Sequence, residues 1–260
     1  MKWESSIIYT NWTPAGVYPG KNRGRSDVVI EFLNSLERCA SGVMVVIMNI
    51  QIRSARPEDA QFLAWVILAS GRAHVQRGIW EVILGGTEEE CLNFLKQLSM
   101  TKTPHLFHYT CFIVAEFDGR LVAALGGYDP KVLGYPALRQ AVVEVSQEMG
   151  FSGPDEAAMK RSERVLNCVP DEVEGAWVID SVATLPKFRR TGIVDKLLEE
   201  MLKKGRKQGF QQAQINMYIG NTPAQKAYEK HGFRVLDEKR HPAFEEEIGS
   251  PGMMRLARDL

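Results

Sequence analysis

Residues 177–233 read WVIDSVATLPKFRRTGIVDKLLEEMLKKGRKQGFQQAQINMYIGNTPAQKAYEKHGF, and this stretch decides the fold of the chain. An apolar run of β-forming residues ends at Leu185, a basic turn runs from Pro186 to Gly192, and an amphipathic helix follows directly. A second strand and a second helix complete the unit. A turn that leads into a helix presents backbone N–H groups without intrahelical partners, where the helix dipole is positive. The stretch therefore predicts a strand–turn–helix site for an anionic ligand such as a phosphate.

Length and composition are those of an ordinary globular protein. The chain has 260 residues, of which 45% are apolar and 25% charged, and its formal net charge is zero. We therefore expect no bulk electrostatic binding to nucleic acid or to an anionic membrane. No apolar run approaches the roughly 20 residues that a transmembrane helix needs, and the N-terminus lacks the apolar core of a signal peptide. The expected location is the cytoplasm.

The spacing of cysteines and histidines predicts neither a disulfide framework nor a metal site. No CxxC pair and no HExxH motif occurs in the sequence. Widely spaced thiols are typical of buried or free cysteines in a reducing compartment. The cysteines are Cys39, Cys91, Cys111 and Cys168.

The N-terminal segment differs in character from the rest of the chain. It is rich in tryptophan, proline and glycine, and its apolar spacing predicts one helix from Asp27 to Cys39. We expect residues 1–44 to form an extension and residues 45–260 to form the main domain. Three interpretations of the extension stay open: an ordered segment, a loose arm, or a stretch upstream of a native start at Met44 or Met48.

The segment between the extension and the opening stretch contains strands, helices and an insertion. Alternating residues predict a strand from Val45 to Arg53, and helices are expected to begin near Pro57 and Thr87. The link Phe117-Asp118-Gly119 predicts a hairpin, because Asp-Gly tolerates positive φ. Residues from about 130 to 174 read as a helical insertion with acidic residues at its far end. This insertion is either a solvated surface segment or a lid over the substrate end of the site.

The predicted order of elements indicates an α/β (α+β) fold with one central sheet. Within this order, the opening stretch resembles the GCN5-related N-acetyltransferase (GNAT) superfamily. The phosphate turn of that family has Arg or Gln, two residues, Gly, one residue, then Gly or Ala, and residues 189–194 match it except at Val194. Residues 221–233 match a second pattern, Asn-x-x-Ala-x-x-Ala-Tyr-x-x-x-Gly-Phe. The resemblance implies a mixed, mostly antiparallel sheet flanked by helices, with the insertion preceding the central strand that binds acyl-CoA.

The resemblance also implies an acyl-CoA ligand, usually acetyl-CoA, as the acyl donor. Backbone amides of the turn would hold the pyrophosphate, the edge of the preceding strand would pair with the pantetheine arm, and Asn221 would contact the cofactor from the far side. A β-branched residue at Val194 crowds the start of the helix, but it need not abolish binding because the amide provides the contact. The implied cofactor-binding residues are Val182, Ala183, Thr184, Arg189, Arg190, Thr191, Gly192, Ile193, Val194, Asn221 and Ala224.

The reaction implied by the resemblance is direct attack of an amine on the thioester. Tyr228 matches the general acid of the family, and a phenol with a pKa of about 10 is protonated at neutral pH. Asp180 lies six residues ahead of Pro186 and is the candidate base or amine ligand, with Glu174 as a second candidate. The alternative for Tyr228 is a packed core residue, and for Asp180 a hydrogen bond at the strand edge.

Two functions are consistent with these residues. The first is an acyl-CoA-dependent N-acyltransferase that acts on a small-molecule or protein amine, as a monomer or a homodimer. The second is a non-catalytic acyl-CoA-binding or regulatory module, which Val194 and the uncertain base suggest. The acids from Asp171 to Glu174 favour a cationic acceptor. A nucleotide-phosphate site is not indicated, because neither GxxxxGK[ST] nor GxGxxG occurs.

Overall fold

The computed structural model describes residues 36–38, 44–46, 50–150 and 156–260, and the chain divides into two compact units, Met1–Met48 and Asn49–Leu260. In the first unit, β1 (Leu36–Arg38) pairs antiparallel with β2 (Met44–Val46). The other parts of the predicted extension lie outside the described residues. The helix predicted up to Cys39 is wrong at Leu36–Arg38, because pairing with a neighbouring strand prevails over local helical spacing there.

The second unit contains a seven-stranded sheet with helices packed on both faces. Its strands are β3 (Ile50–Ser54), β4 (Phe112–Phe117), β5 (Arg120–Tyr128), β6 (Ala176–Thr184), β7 (Gln212–Tyr218), β8 (Arg234–Arg240) and β9 (Gly252–Asp259). Its helices are α1 (Ala60–Arg72), α2 (Ile79–Leu84), α3 (Glu88–Leu98), α4 (Pro130–Leu133), α5 (Tyr135–Glu148), α6 (Glu156–Leu166), α7 (Ile193–Lys207), α8 (Thr222–Lys230) and α9 (Pro242–Ile248).

The order of strands across the sheet is β3-β4-β5-β6-β7-β9-β8. Neighbouring strands run antiparallel throughout, except that β6 and β7 run parallel. The predicted mixed, mostly antiparallel sheet is therefore confirmed. One apolar layer joins α1 and α3 to one face of the sheet, and a second layer joins α7 and α8 to the other face.

Two short-range predictions are confirmed in the backbone. The hairpin between β4 and β5 turns at Asp118 (φ 48°) and Gly119 (φ 72°), both with positive φ. The N-terminus of α3 carries a capping box, in which the Thr87 hydroxyl accepts from the Glu90 N–H at 3.3 Å and the Glu90 carboxylate accepts from the Thr87 N–H at 2.7 Å. These signals are readable in the sequence because both partners lie within a few residues.

Outside the insertion, two helices were not predicted from the sequence, α2 and α9. Each is shorter than the window in which a helical period becomes visible. The start of α2 is held by the Glu81 carboxylate, which accepts from the Gly78 N–H at 2.9 Å. The start of α9 is capped by His241, whose Nδ1 accepts from the Ala243 N–H at 3.1 Å. Local caps of this kind stabilise helices that the apolar pattern alone does not reveal.

The helices of the insertion pack against the rest of the second unit. Helix α5 buries Ala141 and Val145 in the layer that contains α3. Helix α6 packs against α2 and α9, and its Val165 shares a small apolar cluster with Phe244 and Ile248. Within the described ranges, no helix is both long enough and apolar enough to cross a bilayer.

Candidate functional site

A cleft opens in the middle of the sheet where β6 and β7 part. Their pairing runs only from Ala176↔Gln212 to Ile179↔Ile215, although β6 continues to Thr184. Beyond this point β6 pairs with β5 on one side, and the edge that would face β7 has no ladder partner in the described chain. Val182, Ala183 and Thr184 lie on this edge. An extended ligand that carries amide groups can complete the ladder there, because buried backbone groups need hydrogen-bond partners.

A β-bulge lies at the mouth of this cleft. Between the pairs Ala124↔Ala183 and Gly126↔Asp180, β6 contains one more residue than β5. Ser181 adopts a φ of 52°, which is uncommon for a residue other than glycine. Its hydroxyl donates to Asp180 Oδ1 at 2.8 Å. The bulge therefore interrupts the regular ladder beside the candidate base, as bulges next to active sites commonly do.

The basic turn after β6 forms a concave row of backbone N–H groups. Arg190 (φ 64°) and Gly192 (φ 80°) are both left-handed, and Gly192 is the N-cap of α7 without a side-chain cap. In the described part of the chain, the N–H groups from Arg190 to Val194 meet no acceptor. The Thr191 hydroxyl donates to the Phe188 carbonyl at 2.6 Å and so steadies the turn. A concave row of N–H groups at a helix N-terminus binds anions through the backbone.

Two further polar side chains near the cleft lack partners. The Thr184 hydroxyl belongs to a residue that is 7% exposed, and it has no hydrogen-bond partner among the described residues. Asn221 occupies the N-cap of α8, and its side chain makes no cap hydrogen bond. Ala224 is partly buried on the same helix. Buried polar groups in native proteins are nearly always hydrogen-bonded, so these groups fit a site that a ligand completes.

Tyr228 and Asp180 are close enough for their charges to interact. Tyr228 is 7% exposed, and its hydroxyl has no hydrogen-bond partner in the described ranges. Burial raises the pKa of Tyr228, and the negative charge of Asp180 raises it further. Burial also raises the pKa of Asp180, although hydrogen bonds from Ser181 partly offset this. The arrangement combines a phenol that stays protonated with a carboxylate whose basicity is enhanced.

Comparison with known families identifies the second unit. The sequence model of the acetyltransferase (GNAT) family matches residues 86–233, which is more than half of the 260 residues. The chain belongs to this family. The matched range includes the turn, the cleft and Tyr228, and family membership supports acyl-CoA-dependent acetyl transfer. The resemblance seen in the sequence is thereby confirmed.

Solved structures show the same GNAT fold. A crystal structure of an acetyltransferase has 19% identity and a TM-score of 0.59, covering 80% of this chain and 98% of the other. An N-acetyltransferase from Staphylococcus aureus Mu50 has 18% identity and a TM-score of 0.55, covering 80% and 100%. SsHAT has 19% identity and a TM-score of 0.54, covering 81% and 98%. No curated protein matches the chain. At these identities the likeness shows the fold alone.

The GNAT domain has polar residues near Asp180 that the sequence did not identify. The Tyr128 hydroxyl donates to Glu172 Oε1 at 3.1 Å, and Tyr128 is 2% exposed. Burial raises the pKa of Tyr128, of Tyr135 and of Glu172, and the charge of Asp180 raises each of them further. The signals available were the end of β5 at Tyr128 and the acidic run near Glu172. Neither signal shows that strand and insertion meet.

Glu174, the second candidate base, lies in a different environment. Its side chain is 92% exposed and sits 3.8 Å from Lys131 Nζ. Asp180, by contrast, lies on β6 beside the cleft.

Potential metal ligands and thiols are scattered in the described part of the second unit. In the ranges that the structure describes, no group of three or more His, Cys, Asp or Glu residues is arranged to hold a metal ion. Cys91, Cys111 and Cys168 are buried thiols, while Cys39 lies outside the described residues. Burial raises the pKa of Cys91 and of Cys111 to about 11, so these thiols remain protonated at neutral pH.

A separate cavity lies at the opposite end of α7 from the turn. Its volume is about 260 Å³, and Trp177, Lys204 and Gln208 are among its lining residues. None of the residues predicted to bind the cofactor or to act in catalysis lines it. The candidate site of the GNAT domain is therefore the open cleft between β6 and β7.

Proposed function

We propose that this protein transfers an acetyl group from acetyl-CoA to a primary amine by direct attack. The observation that carries the proposal is the opening between β6 and β7. One end of β6 leads to the row of unpaired N–H groups at Arg190–Val194, and Asp180 lies on the same strand. An extended ligand that lies along this edge would place its anionic part at the N–H row and its reactive part near Asp180. Both parts would then be held at fixed positions.

The donor would be bound mainly through the backbone. The N–H groups from Arg190 to Val194 would hold the pyrophosphate, and the free edge from Val182 to Thr184 would pair with the pantetheine amides. The Thr184 hydroxyl and the Asn221 amide, which lack partners among the described residues, would add polar contacts. Backbone recognition tolerates side-chain differences at these positions, because the contacting atoms are common to all residues.

The chemistry divides between Asp180 and Tyr228. The amine nitrogen forms a bond to the acetyl carbon while the carbon–sulfur bond breaks. Asp180 accepts the proton that the amine loses, directly or through a water molecule, and Tyr228 donates its proton to the CoA thiolate. The raised pKa of Asp180 suits proton uptake, and the raised pKa of Tyr228 keeps its proton available near neutral pH.

The competing function is a non-catalytic acyl-CoA-binding module. The reasons to consider it were the uncertain base and Val194, which replaces a small residue in the turn. Val194 is partly buried and packs against the apolar layer that contains α7, while its N–H lies in the unpaired row. The packing of this side chain accounts for a valine at this position without loss of the anion site, so we favour the enzyme.

The test is turnover of acetyl-CoA by the full chain with a broad panel of amines, followed through release of the CoA thiol. Tyr228→Phe should lower kcat by about 10²- to 10⁴-fold, the usual contribution of a general acid, with little change in CoA affinity. Tyr109→Phe is the matched control, because that ring contacts His108 and lies outside the cleft. If no amine in the panel is acetylated while CoA still binds, the binding module is favoured. An unchanged rate for Tyr228→Phe would refute the assignment of Tyr228 as the general acid.

A further inference from the structure

Asn216 lies on β7 at the point where this strand parts from β6. The last registered pair of the two strands is Ile179↔Ile215, so Asp180 and Asn216 are the next residues along them. Ile179 and Ile215 both belong to the apolar layer that contains α7. Because side chains alternate between the two faces of a sheet, Asp180 and Asn216 both lie on the opposite face. The candidate base and this amide therefore flank the opening of the cleft from neighbouring strands.

The orientation of the Asn216 amide is fixed by a chain of hydrogen bonds. Gln214 is fully buried, and its Oε1 accepts from the Val173 N–H at 2.6 Å. Its Nε2 donates to the Asp171 carbonyl at 3.3 Å and to Asn216 Oδ1 at 3.0 Å. A backbone N–H can only donate and a backbone carbonyl can only accept, so the Gln214 amide cannot be reversed. Asn216 must therefore turn Oδ1 towards Gln214 and Nδ2 away from it.

The Nδ2 group of Asn216 is left available for a ligand. In the described part of the chain it has no hydrogen-bond partner, and Asn216 is only partly buried. Tyr218, two residues further on the same face, is already engaged. Its hydroxyl donates to the Gly71 carbonyl at 2.6 Å and accepts from the Ile79 N–H at 3.0 Å. The amide of Asn216 is thus a donor of fixed direction on the strand next to the Asp180 carboxylate.

We infer that Asn216 is a positioning residue, whose Nδ2 holds the water molecule that carries the proton from the acceptor amine to Asp180. The inference rests on the proposed function. An amine that attacks the thioester directs its lone pair at the acetyl carbon and has only N–H donors left, so it cannot accept a hydrogen bond from Asn216. A water molecule accepts from Asn216 Nδ2 with one lone pair and takes the amine proton on the other. As it does so, it passes one of its own protons to Asp180, and the water is regenerated.

Asn216→Asp is the decisive variant, because it keeps the shape of the side chain. The new carboxylate still accepts from Gln214 Nε2, but its second oxygen cannot donate to the water. The assay follows acetylation of the panel amine with the highest kcat/KM at saturating acetyl-CoA. The kcat should fall by about 10- to 100-fold, the contribution of one hydrogen bond to a charged group. The KM of the amine and the Kd of acetyl-CoA should stay within about threefold, since Asn216 contacts neither reactant.

The acidic limb of the pH–rate profile gives a readout that structural damage does not move. A second carboxylate beside Asp180 disfavours the charged form of the base, so Asn216→Asp should raise the pKa seen in the kcat/KM profile by about one pH unit. Asn216→Ala adds no charge and should leave this pKa unchanged, while its kcat falls as in Asn216→Asp. The other titratable groups whose pKa responds to the charge of Asp180 are the same in all three proteins: Tyr128, Tyr135, Glu172, Tyr218 and Tyr228.

Gln212→Glu is the matched control. It makes the same amide-to-carboxylate change on β7, but at the exposed start of the strand, where β6 and β7 are still paired. This variant should keep the wild-type kcat and the wild-type pH profile.

The outcomes separate this inference from the proposed function. An active wild type whose kcat falls less than about threefold in Asn216→Ala would refute the role of Asn216 and leave the acetyltransferase reaction intact, and this test holds even where Asn216→Asp does not fold. An unmoved acidic limb in a folded Asn216→Asp would also overturn the inference, and a raised limb in Asn216→Ala would show that Asn216 donates to Asp180 itself. If the wild type binds acetyl-CoA and acetylates no amine, the proposed function is refuted, and the role of Asn216 with it.

Discussion

Replacing Gly192 by alanine tests the anion site with a control built into the same helix. Gly192 has φ 80° at the start of α7, and Gly209 has φ 91° just beyond its end. A Cβ at Gly192 would come no closer than 3.9 Å to another atom, at Asp195 Oδ2, and a Cβ at Gly209 would meet nothing within 4 Å. Neither substitution creates a steric clash. Both impose the same backbone strain, since an L-residue disfavours the left-handed region.

The expected loss of unfolding free energy in the two variants follows from this backbone strain. A left-handed L-residue costs about 1–2 kcal/mol, and the reduced entropy of the unfolded chain returns about 0.4–1 kcal/mol. Each variant should therefore lose about 1 kcal/mol of unfolding free energy, or about 2–4 °C in Tm for a domain of this size. Only Gly192→Ala disturbs the N–H row. Loss of one hydrogen bond to a phosphate should weaken acetyl-CoA binding by about 10- to 100-fold.

The assay pairs urea denaturation with calorimetric titration of acetyl-CoA. Gly209→Ala is expected to match Gly192→Ala in stability and to match the wild type in Kd. Acetyl-pantetheine lacks the pyrophosphate, so its affinity should be the same in wild type and Gly192→Ala. Equal acetyl-CoA affinities in the two variants would refute the assignment of the turn as the pyrophosphate site, and so would a loss that extends equally to acetyl-pantetheine.

Two further predictions concern the base and the unusual valine. Asp180→Asn should lower kcat/KM by about 10²-fold or more and abolish the acidic limb of the pH–rate profile, measured from pH 5 to 9. Because burial raises the pKa of Asp180, the folded state disfavours its charge, and the wild type should lose stability as pH rises from the ordinary carboxyl range through the raised pKa. The asparagine variant should therefore have the higher Tm at pH 8, and a lower one would contradict this electrostatic account. Val194→Ala should cost about 1 kcal/mol of unfolding free energy in denaturation and leave the acetyl-CoA Kd within about twofold, since the amide binds. A tenfold loss of affinity would show that the side chain takes part.

Structural features that depend on a few neighbouring residues were predicted correctly. The hairpin at Asp118-Gly119 and the capping box at Thr87 depend on conformations and contacts that span at most three residues. Helices α2 and α9 were not predicted because they are too short to show the helical spacing of apolar residues. The helix predicted up to Cys39 failed at Leu36–Arg38, where pairing with a strand several residues away decides the backbone.

The sequence by itself determined the basic turn that ends at Gly192, which follows from residue type and spacing within one strand–helix unit. The resemblance of the sequence to the GNAT family made Tyr228 and Asp180 candidates. Only the tertiary structure decided where β6 and β7 part, and that Tyr128 contacts Glu172 across 44 residues of chain. Such contacts depend on how separate elements pack, and chain spacing carries no signal for them. The contact between β5 and the insertion therefore became visible only in the fold.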